Sequence, residues 1–504
     1  ALVPIFYIND NIISNRISVI NYFYIFLAFL IWNIGSTHWI CKMNFIGGLL
    51  TFFINSFLMT IPFISSFILS KTLKHRLKFH SIFIILIWIS IEFLQENWQL
   101  AWPFYSLGNC FSMYPVIIQW YEYTGVFGGT LWILLANIFI YKSVRKLTSK
   151  NNFKYSLLIT ALTIIIPILI SLIIYKKYEN DNRSIKVTIV HPNLSCYDQK
   201  YNSSLNVEQQ IQHHLELTKS CIDSATNFIL WPETAIPNID WIELFSENKD
   251  IKKIREFILK YPRVKLITGA IGFELYKTGK VWPTKSDKYE LKFDSNFNVW
   301  YYTYNFAMQI DTSLNIPIHT KQKLVPFEER TPYPSLFNGL QDKVGSLGDF
   351  SFALKEKDEI FLSFDSTSVL TLICYESLFS GYTAKKVKNK SNIIFVILNE
   401  GWYGSTFGSK QFLYISAVRA IENRRSIARS SNYGISGFID QKGEIIKSYS
   451  SNQPNAFHGI LYLNNKNTFY TIHENLISRF SFYILAFLVI ILILKIVLTK
   501  KNDL

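Results

Sequence analysis

Stretches of more than twenty residues with almost no charge dominate the first third of the chain, and they limit what the rest can become. Ile17 to Ile40, Ile46 to Leu69 and Lys154 to Tyr175 are each long enough to cross about 30 Å of hydrocarbon at ~1.5 Å per residue. Shorter apolar runs at Ser81 to Leu94 and Gly125 to Tyr141 read as spans in that company, and a last one runs from Phe480 to Leu498. A backbone in lipid must satisfy its own hydrogen bonds, so these segments predict a bundle of membrane helices.

Charge orients the spans. Of 504 residues 49% are hydrophobic and 17% charged, so the formal charge of +15 rests on few positions. The basic residues clump beside the apolar runs and not in an aromatic-interleaved patch, which argues against nucleic-acid binding. Lys71, Lys74, Arg76 and Lys78 follow one span, and Lys142, Arg145, Lys146 and Lys150 follow another, so both connections belong on the cytoplasmic side. Between them, Gln95 to Thr124 holds carboxylates, Trp and Tyr but no Lys or Arg, as an outer interfacial loop does. Alternation through Lys154 to Tyr175 then puts 176–478 outside and returns Lys500 and Lys501 inside. The expected division is 1–175 membrane helices, 176–478 an exported domain, and 479–504 a final helix with its tail.

The exported segment is long enough for one hydrophobic core. Strand-like runs recur at Ile185 to His191, Asn227 to Trp231, Val264 to Ile271, Val299 to Ile310, Ser368 to Ile373, Ile393 to Leu398 and Gly434 to Ile439. Helical patterns cover Val207 to Thr226 and Lys410 to Arg425. Continuous apolar strands with helices between them predict an α/β domain in which helices cover sheet. The five cysteines lack Cys-x-x-Cys spacing and give no disulfide framework, although an outward location permits a Cys196–Cys221 bridge. His213-His214 has no accompanying ligand cluster, so a helix-surface pair is expected and no metal.

Three strand ends carry candidate chemistry. Cys374 closes the run Ser368 to Ile373 in Leu-Thr-Leu-Ile-Cys-Tyr-Glu-Ser; upstream stand Phe-Ile-Leu-Trp-Pro-Glu233-Thr-Ala and Lys321-Gln-Lys-Leu-Val-Pro-Phe-Glu-Glu329. Singly, each residue has a plain reading: a buried small thiol, a strand-ending carboxylate, a solvated ammonium. Together they offer a base, a cation and a nucleophile at positions where a rigid scaffold would hold a site. In this order and form the segments resemble the nitrilase superfamily, and with the surrounding spans they resemble its apolipoprotein N-acyltransferase family. Ile189-Val-His-Pro-Asn193, Leu266-Ile-Thr-Gly-Ala270, Asn399-Glu-Gly-Trp-Tyr-Gly404 and Arg419 through Asn432 are similar too, so the resemblance spans almost the whole chain. It implies a membrane α-helical bundle plus an exported nitrilase-like α-β-β-α sandwich. It also implies that the opening Ala-Leu-Val-Pro-Ile-Phe is the tail of a span, with about two helices missing before it.

The resemblance also implies roles. A thiol with a pKa near 8.5 is mostly protonated at neutral pH, so a nucleophilic Cys374 needs a base, and Glu233 is the acceptor. Lys321 stays cationic and, with the Tyr375 backbone N–H, would hold the oxyanion of a tetrahedral intermediate. Glu329 matches the family's supporting carboxylate, although Glu328 stands where the family often has Gly. Lys323 competes with Lys321, and the spacing to Leu-Val-Pro-Phe favours Lys321. Asn305, Tyr375 and Glu376 match supporting positions, with turn capping and a packing ion pair as the plain alternatives. The implied reaction moves a fatty acyl chain from a phospholipid to the α-amino group of an N-terminal diacylglyceryl-cysteine on a lipoprotein. It would run through a Cys374 thioester at the outer face of the bacterial inner membrane, without cofactor. A membrane-anchored amidase would use the same three residues. A transporter or scaffold would need buried intramembrane charge, for which Glu92 is the clearest candidate.

Overall fold

The structure, a computed structural model, describes residues 2–72, 80–148, 153–200, 204–239, 241–276, 291–337, 352–354, 361–363, 367–388, 391–404, 406–450 and 452–502. The chain divides into two compact units. One comprises Ala1–His38, Gly48–Lys177 and His473–Leu504, the other Trp39–Gly47 and Tyr178–Ile472.

The first unit is helical. Among the described residues, five helical stretches are long and apolar enough to cross a membrane: Val19–Lys42, Phe45–Thr72, Tyr121–Thr148, Lys154–Lys177 and Phe469–Ile491. The run expected at Ser81 to Leu94 is the helix His80–Asn97, which falls outside that set and carries Glu92, Gln95 and Glu96 in its last turns. The expected basic positions Lys74, Arg76, Lys78 and Lys150 lie outside the described residues. Aromatic rings fill the core: Phe29 meets Trp88 at 5.7 Å and Phe6 meets Phe63 at 5.6 Å between centroids.

Glu92, expected as possible evidence for transport, is buried and fully hydrogen-bonded. Its Oε1 accepts from Trp88 Nε1 and the Leu107 N–H, each at 2.9 Å, and its Oε2 from Thr130 Oγ1 at 2.7 Å and Ser106 Oγ at 3.0 Å. Thr130 Oγ1 in turn accepts the Gly108 N–H at 3.0 Å. The carboxylate staples the 103–111 turns to two helices. A charge so consumed by its own chain is a structural tie and not an ion path.

The second unit is built on two sheets. Its strands are β1 Ser184–His191, β2 Phe228–Leu230, β3 Lys265–Leu275, β4 Leu291–Asp294, β5 Val299–Ile310, β6 Ile318–Thr320, β7 Phe361–Leu362, β8 Ser368–Ile373, β9 Ile393–Leu398, β10 Ile427–Ser431, β11 Ser436–Ile439, β12 Ile445–Tyr449 and β13 Asn455–Tyr462. One sheet has the order β13-β1-β2-β3-β5-β4 with β6 beside β5; the other runs β12-β11-β10-β9-β8-β7. Alternation of side chains along each strand explains the layers. Ile185, Val187 and Ile189 of β1 share one buried cluster with Ile393, Phe395 and Ile397 of β9, so the sheets pack face to face. On the other face of the first sheet, Val190, Leu266 and Met308 pack with Ile211 and Leu215 of the helix Val207–Lys219 and Ile254 and Ile258 of Lys249–Ile258. The helices Ser380–Lys388 and Phe407–Asn423 belong to the half of the unit that holds the second sheet. The result is the α-β-β-α sandwich that the resemblance implied.

Most expected strands recur within one or two residues, apart from β3, which runs on to Leu275. The helix expected to reach Thr226 stops at Lys219, because Asp223 Oδ1 accepts from the Ala225 N–H and Thr226 Oγ1, a side-chain turn that competes with helix. Trp39 joins this unit by packing against Tyr403, with ring centroids 4.7 Å apart, and by donating from Nε1 to Gln411 Oε1 at 3.0 Å.

Candidate active site

β8 delivers Cys374 at its end, where the chain turns through a φ of +48°. That left-handed conformation is uncommon for a residue other than glycine and must be held by its surroundings. Glu376 holds it. This fully buried carboxylate accepts from the Ile373 N–H at 2.8 Å, the Gln322 N–H at 2.7 Å and Tyr382 OH at 2.9 Å, and lies 3.2 Å from His319 Nε2. Ser377 Oγ donates to the Cys374 carbonyl at 2.8 Å. One carboxylate thus ties the residue before Cys374 to the residue after Lys321. Burial opposes its charge, but His319 and the two backbone donors outweigh burial and hold its pKa below the usual carboxylate value.

Lys321 follows β6 and is fixed by its backbone N–H, which donates to the Asn305 carbonyl at 2.9 Å. Its buried Nζ lies 2.9 Å from Glu233 Oε1 and 2.6 Å from Glu329 Oε1. Asn305 Nδ2 donates to the same Glu233 oxygen at 2.8 Å, and the Val325 N–H to Glu329 Oε2 at 2.8 Å. Glu233 itself stands just past β2. The Trp231 N–H bonds to the Ile267 carbonyl at 2.9 Å and the Gly269 N–H to the Pro232 carbonyl at 3.1 Å, which brings the Glu233 backbone against β3. A Cβ on Gly269 would lie 2.7 Å from the Glu233 Cα and 2.6 Å from the Thr234 nitrogen, so this approach requires glycine.

The charges act on one another. Burial pulls the Lys321 ammonium down, but Glu233 and Glu329 more than offset it and raise its pKa well above the usual lysine value. Burial and the Glu233 charge push the Cys374 thiol well up, only partly opposed by Lys321, so the resting group is the neutral thiol. Glu329 is also raised, by burial with Lys321 opposing.

Glu233, Lys321, Glu329 and Asn305 therefore form one hydrogen-bonded cluster whose field reaches Cys374, and Glu376 braces the backbone beside it. Tyr375 is buried, and burial raises its phenol. Lys323 lies instead over the rings of Phe379, at 4.6 Å, and Tyr382, at 6.0 Å. Glu328 is buried, but the carboxylate on Lys321 is that of Glu329. The expected surface pair His213-His214 is corrected in part: His214 is buried against Trp231, with ring centroids 4.9 Å apart, and burial pushes its pKa down to about 3. Cys196 and Cys221 are free thiols.

Residues without an assigned role in the sequence reading complete the surroundings. Lys200 is buried and donates to the Glu233 carbonyl at 3.0 Å. Glu400, next after Asn399 at the end of β9, takes Arg429 Nη2 at 2.5 Å, the Ile435 N–H at 3.0 Å and Ser431 Oγ at 3.2 Å, and its charge is felt at the Cys374 thiol. Gly434, at φ +97°, passes so close that a Cβ would fall 2.4 Å from Glu400 Oε2. The available signal was the run Arg429-Ser-Ser, polar residues inside the fully buried strand β10.

Comparison with known proteins gives matches along most of the chain. The family model described as the apolipoprotein N-acyltransferase N-terminal domain matches residues 1–139, and the carbon-nitrogen hydrolase model matches residues 194–456. A protein of Chlorobaculum tepidum named apolipoprotein N-acyltransferase is 27% identical over 472 residues, 90% of this chain and 84% of that relative. A namesake from Rickettsia typhi is 26% identical, covering 85% of this chain and 82% of its own. A third, from Wigglesworthia glossinidia brevipalpis, is 30% identical over 54% of this chain and 48% of its own. The crystal structure of Saccharomyces cerevisiae Nit3, of the nitrilase superfamily, aligns over 58% of this chain and 94% of its own, at 12% identity and a TM-score of 0.37.

Proposed function

Since the chain belongs to the carbon-nitrogen hydrolase family and, within it, to the apolipoprotein N-acyltransferases, an enzyme group that N-acylates lipoproteins, we propose how its residues carry out that reaction. Cys374 attacks the ester carbonyl of a phospholipid while Glu233 takes the thiol proton. The Lys321 ammonium and the Tyr375 N–H receive the oxyanion, and collapse of the tetrahedral intermediate expels lysophospholipid, protonated from Glu233. The α-amino group of the diacylglyceryl-cysteine then attacks the thioester, Glu233 accepts its proton, and the amide leaves with the thiol restored. Glu329 and Asn305 position Lys321 and Glu233, and Glu376 sets the spacing between the Lys321 and Cys374 segments.

The observation that carries this reading is the order of the two family matches in one chain, an acyltransferase membrane domain followed by a carbon-nitrogen hydrolase domain. An amidase acting on a soluble substrate would have no use for the first. Two membrane-anchored substrates would, because tethering the thiol near the bilayer raises their effective concentration. We place residues 176–478 on the outer face of the inner membrane, on the basic loop asymmetry.

Purified protein given phospholipid alone should release about one equivalent of lysophospholipid and stall, as a ping-pong enzyme without its acceptor does. Intact mass should show one hydroxylamine-labile acyl group, mapping to the Cys374 peptide. A peptide with a free N-terminal S-diacylglyceryl-cysteine should restart turnover, and its N-acetylated copy should not. Continuous release of fatty acid without acceptor would replace this reading with a hydrolase.

A further inference from the structure

Asn399 directly follows β9, the strand beside β8. The strands pair in parallel, with Ile373 opposite Ile397, so Cys374 stands level with Leu398 and one residue short of Asn399. Neighbouring strands are about 4.8 Å apart. Asn399 is still extended, at φ −135° and ψ 91°, so its side chain points to the same face as that of Ile397, between the sheets. Cys374 packs against that same buried cluster.

The orientation of the Asn399 amide follows from its neighbours. Asn432 Oδ1 accepts the Leu194 N–H at 3.3 Å and Asn432 Nδ2 donates to the Leu194 carbonyl at 2.8 Å, which fixes the Asn432 amide. Its Nδ2 also donates to Asn399 Oδ1 at 3.1 Å, and Cys196 Sγ donates to the same oxygen at 3.1 Å. The Asn399 oxygen is therefore occupied, and its Nδ2 points away from these partners. The residue is only 3% exposed, and this Nδ2 has no partner among the described residues. An unmet buried donor destabilises the fold, so a chain that keeps one beside a nucleophile has a use for it.

We propose that Asn399 is a catalytic residue whose side-chain N–H donates to the acyl carbonyl oxygen at Cys374, strengthening as that oxygen becomes an oxyanion. The inference rests on the acyl-transfer reading for its substrate class, an activated acyl carbonyl, but not on phospholipid or lipoprotein. It adds a donor from the second sheet to the cation that Lys321 brings from the first.

The test uses the full-length protein in detergent and p-nitrophenyl hexanoate, which acylates a competent thiol without either lipid substrate. Asn399→Leu keeps the side-chain shape and leaves Asn432 bonded to Leu194. It should lower the saturating acylation rate of Cys374 roughly 100-fold, with half-saturation changed less than about threefold, the signature of a donor used only in the transition state. Alkylation of Cys374 by iodoacetamide should be unchanged, which a merely displaced loop would not allow. Acylation within about threefold of the wild type overturns the proposal, as does an equal loss in alkylation. If the Leu variant does not fold, Asn399→Ser decides by the same criteria. A wild type that takes the ester but no phospholipid sinks the lipid reading and leaves Asn399 in place; one that does not take the ester overturns both.

Discussion

Replacing Glu233 with Gln should make the thiol more reactive and the enzyme inactive. Both hydrogen bonds that reach Glu233 from Lys321 and Asn305 end on Oε1, which a Gln carbonyl reproduces, so the cluster keeps its geometry while losing one negative charge. That charge is the largest influence after burial that raises the Cys374 pKa, while Lys321 lowers it. For like charges on neighbouring side chains at an effective dielectric near 20, such repulsion is on the order of a few kcal/mol. Relieving it leaves the thiol facing Lys321, with Glu329 and Glu400 still opposing. At pH 7.5 the thiolate fraction, and with it the iodoacetamide alkylation rate, should rise about 10- to 100-fold, and the alkylation midpoint should move to lower pH. Acyl transfer should fall about 10²- to 10⁴-fold, the usual worth of a positioned base. Measuring both rates on one preparation separates the effects. Alkylation that slows in step with acyl transfer would refute the argument, since the Glu233 charge would then not be what keeps the resting thiol protonated.

Cys374→Ser should abolish thioester formation, read by intact mass, because a carboxylate that suffices for a thiol does not deprotonate an alcohol of far higher pKa. Glu376 has a depressed pKa in the folded state, so its contribution to stability is complete above an unfolded-state value near 4.5 and is lost as pH falls through the folded value. Glu376→Gln should flatten that acid limb in denaturation curves while costing about 1–3 kcal/mol at pH 7, where an amide N–H would face a backbone donor. Gly269→Ala should cost about 1–3 kcal/mol in chemical denaturation and reduce acylation, because its Cβ meets backbone and not a movable side chain. Glu92→Ala leaves four donors without their acceptor and should lower thermal stability in detergent by about 1–3 kcal/mol, without changing how p-nitrophenyl esters acylate the folded protein.

The sequence by itself determined the helices, most of the apolar strands and the three strand ends that carry Glu233, Lys321 and Cys374. Each depends on local pattern: uninterrupted apolar length for a span, short β-branched runs for a buried strand, an abrupt polar residue for its end. It did not yield β10, whose Arg429, Ser430 and Ser431 are fully buried in a strand, because pattern reading assigns polar residues to the surface. Nor could it assign Glu400 to Arg429, which lies 29 positions on, or His319 to Glu376, 57 positions on. The choice between Glu328 and Glu329 was likewise tertiary. Two adjacent residues differ only in which way each side chain leaves the loop, and the Val325 N–H together with Lys321 takes Glu329. Local periodicity carries the elements, whereas pairing across long sequence separation, and the direction of a lone donor such as Asn399 Nδ2, exist only once two sheets have closed on each other.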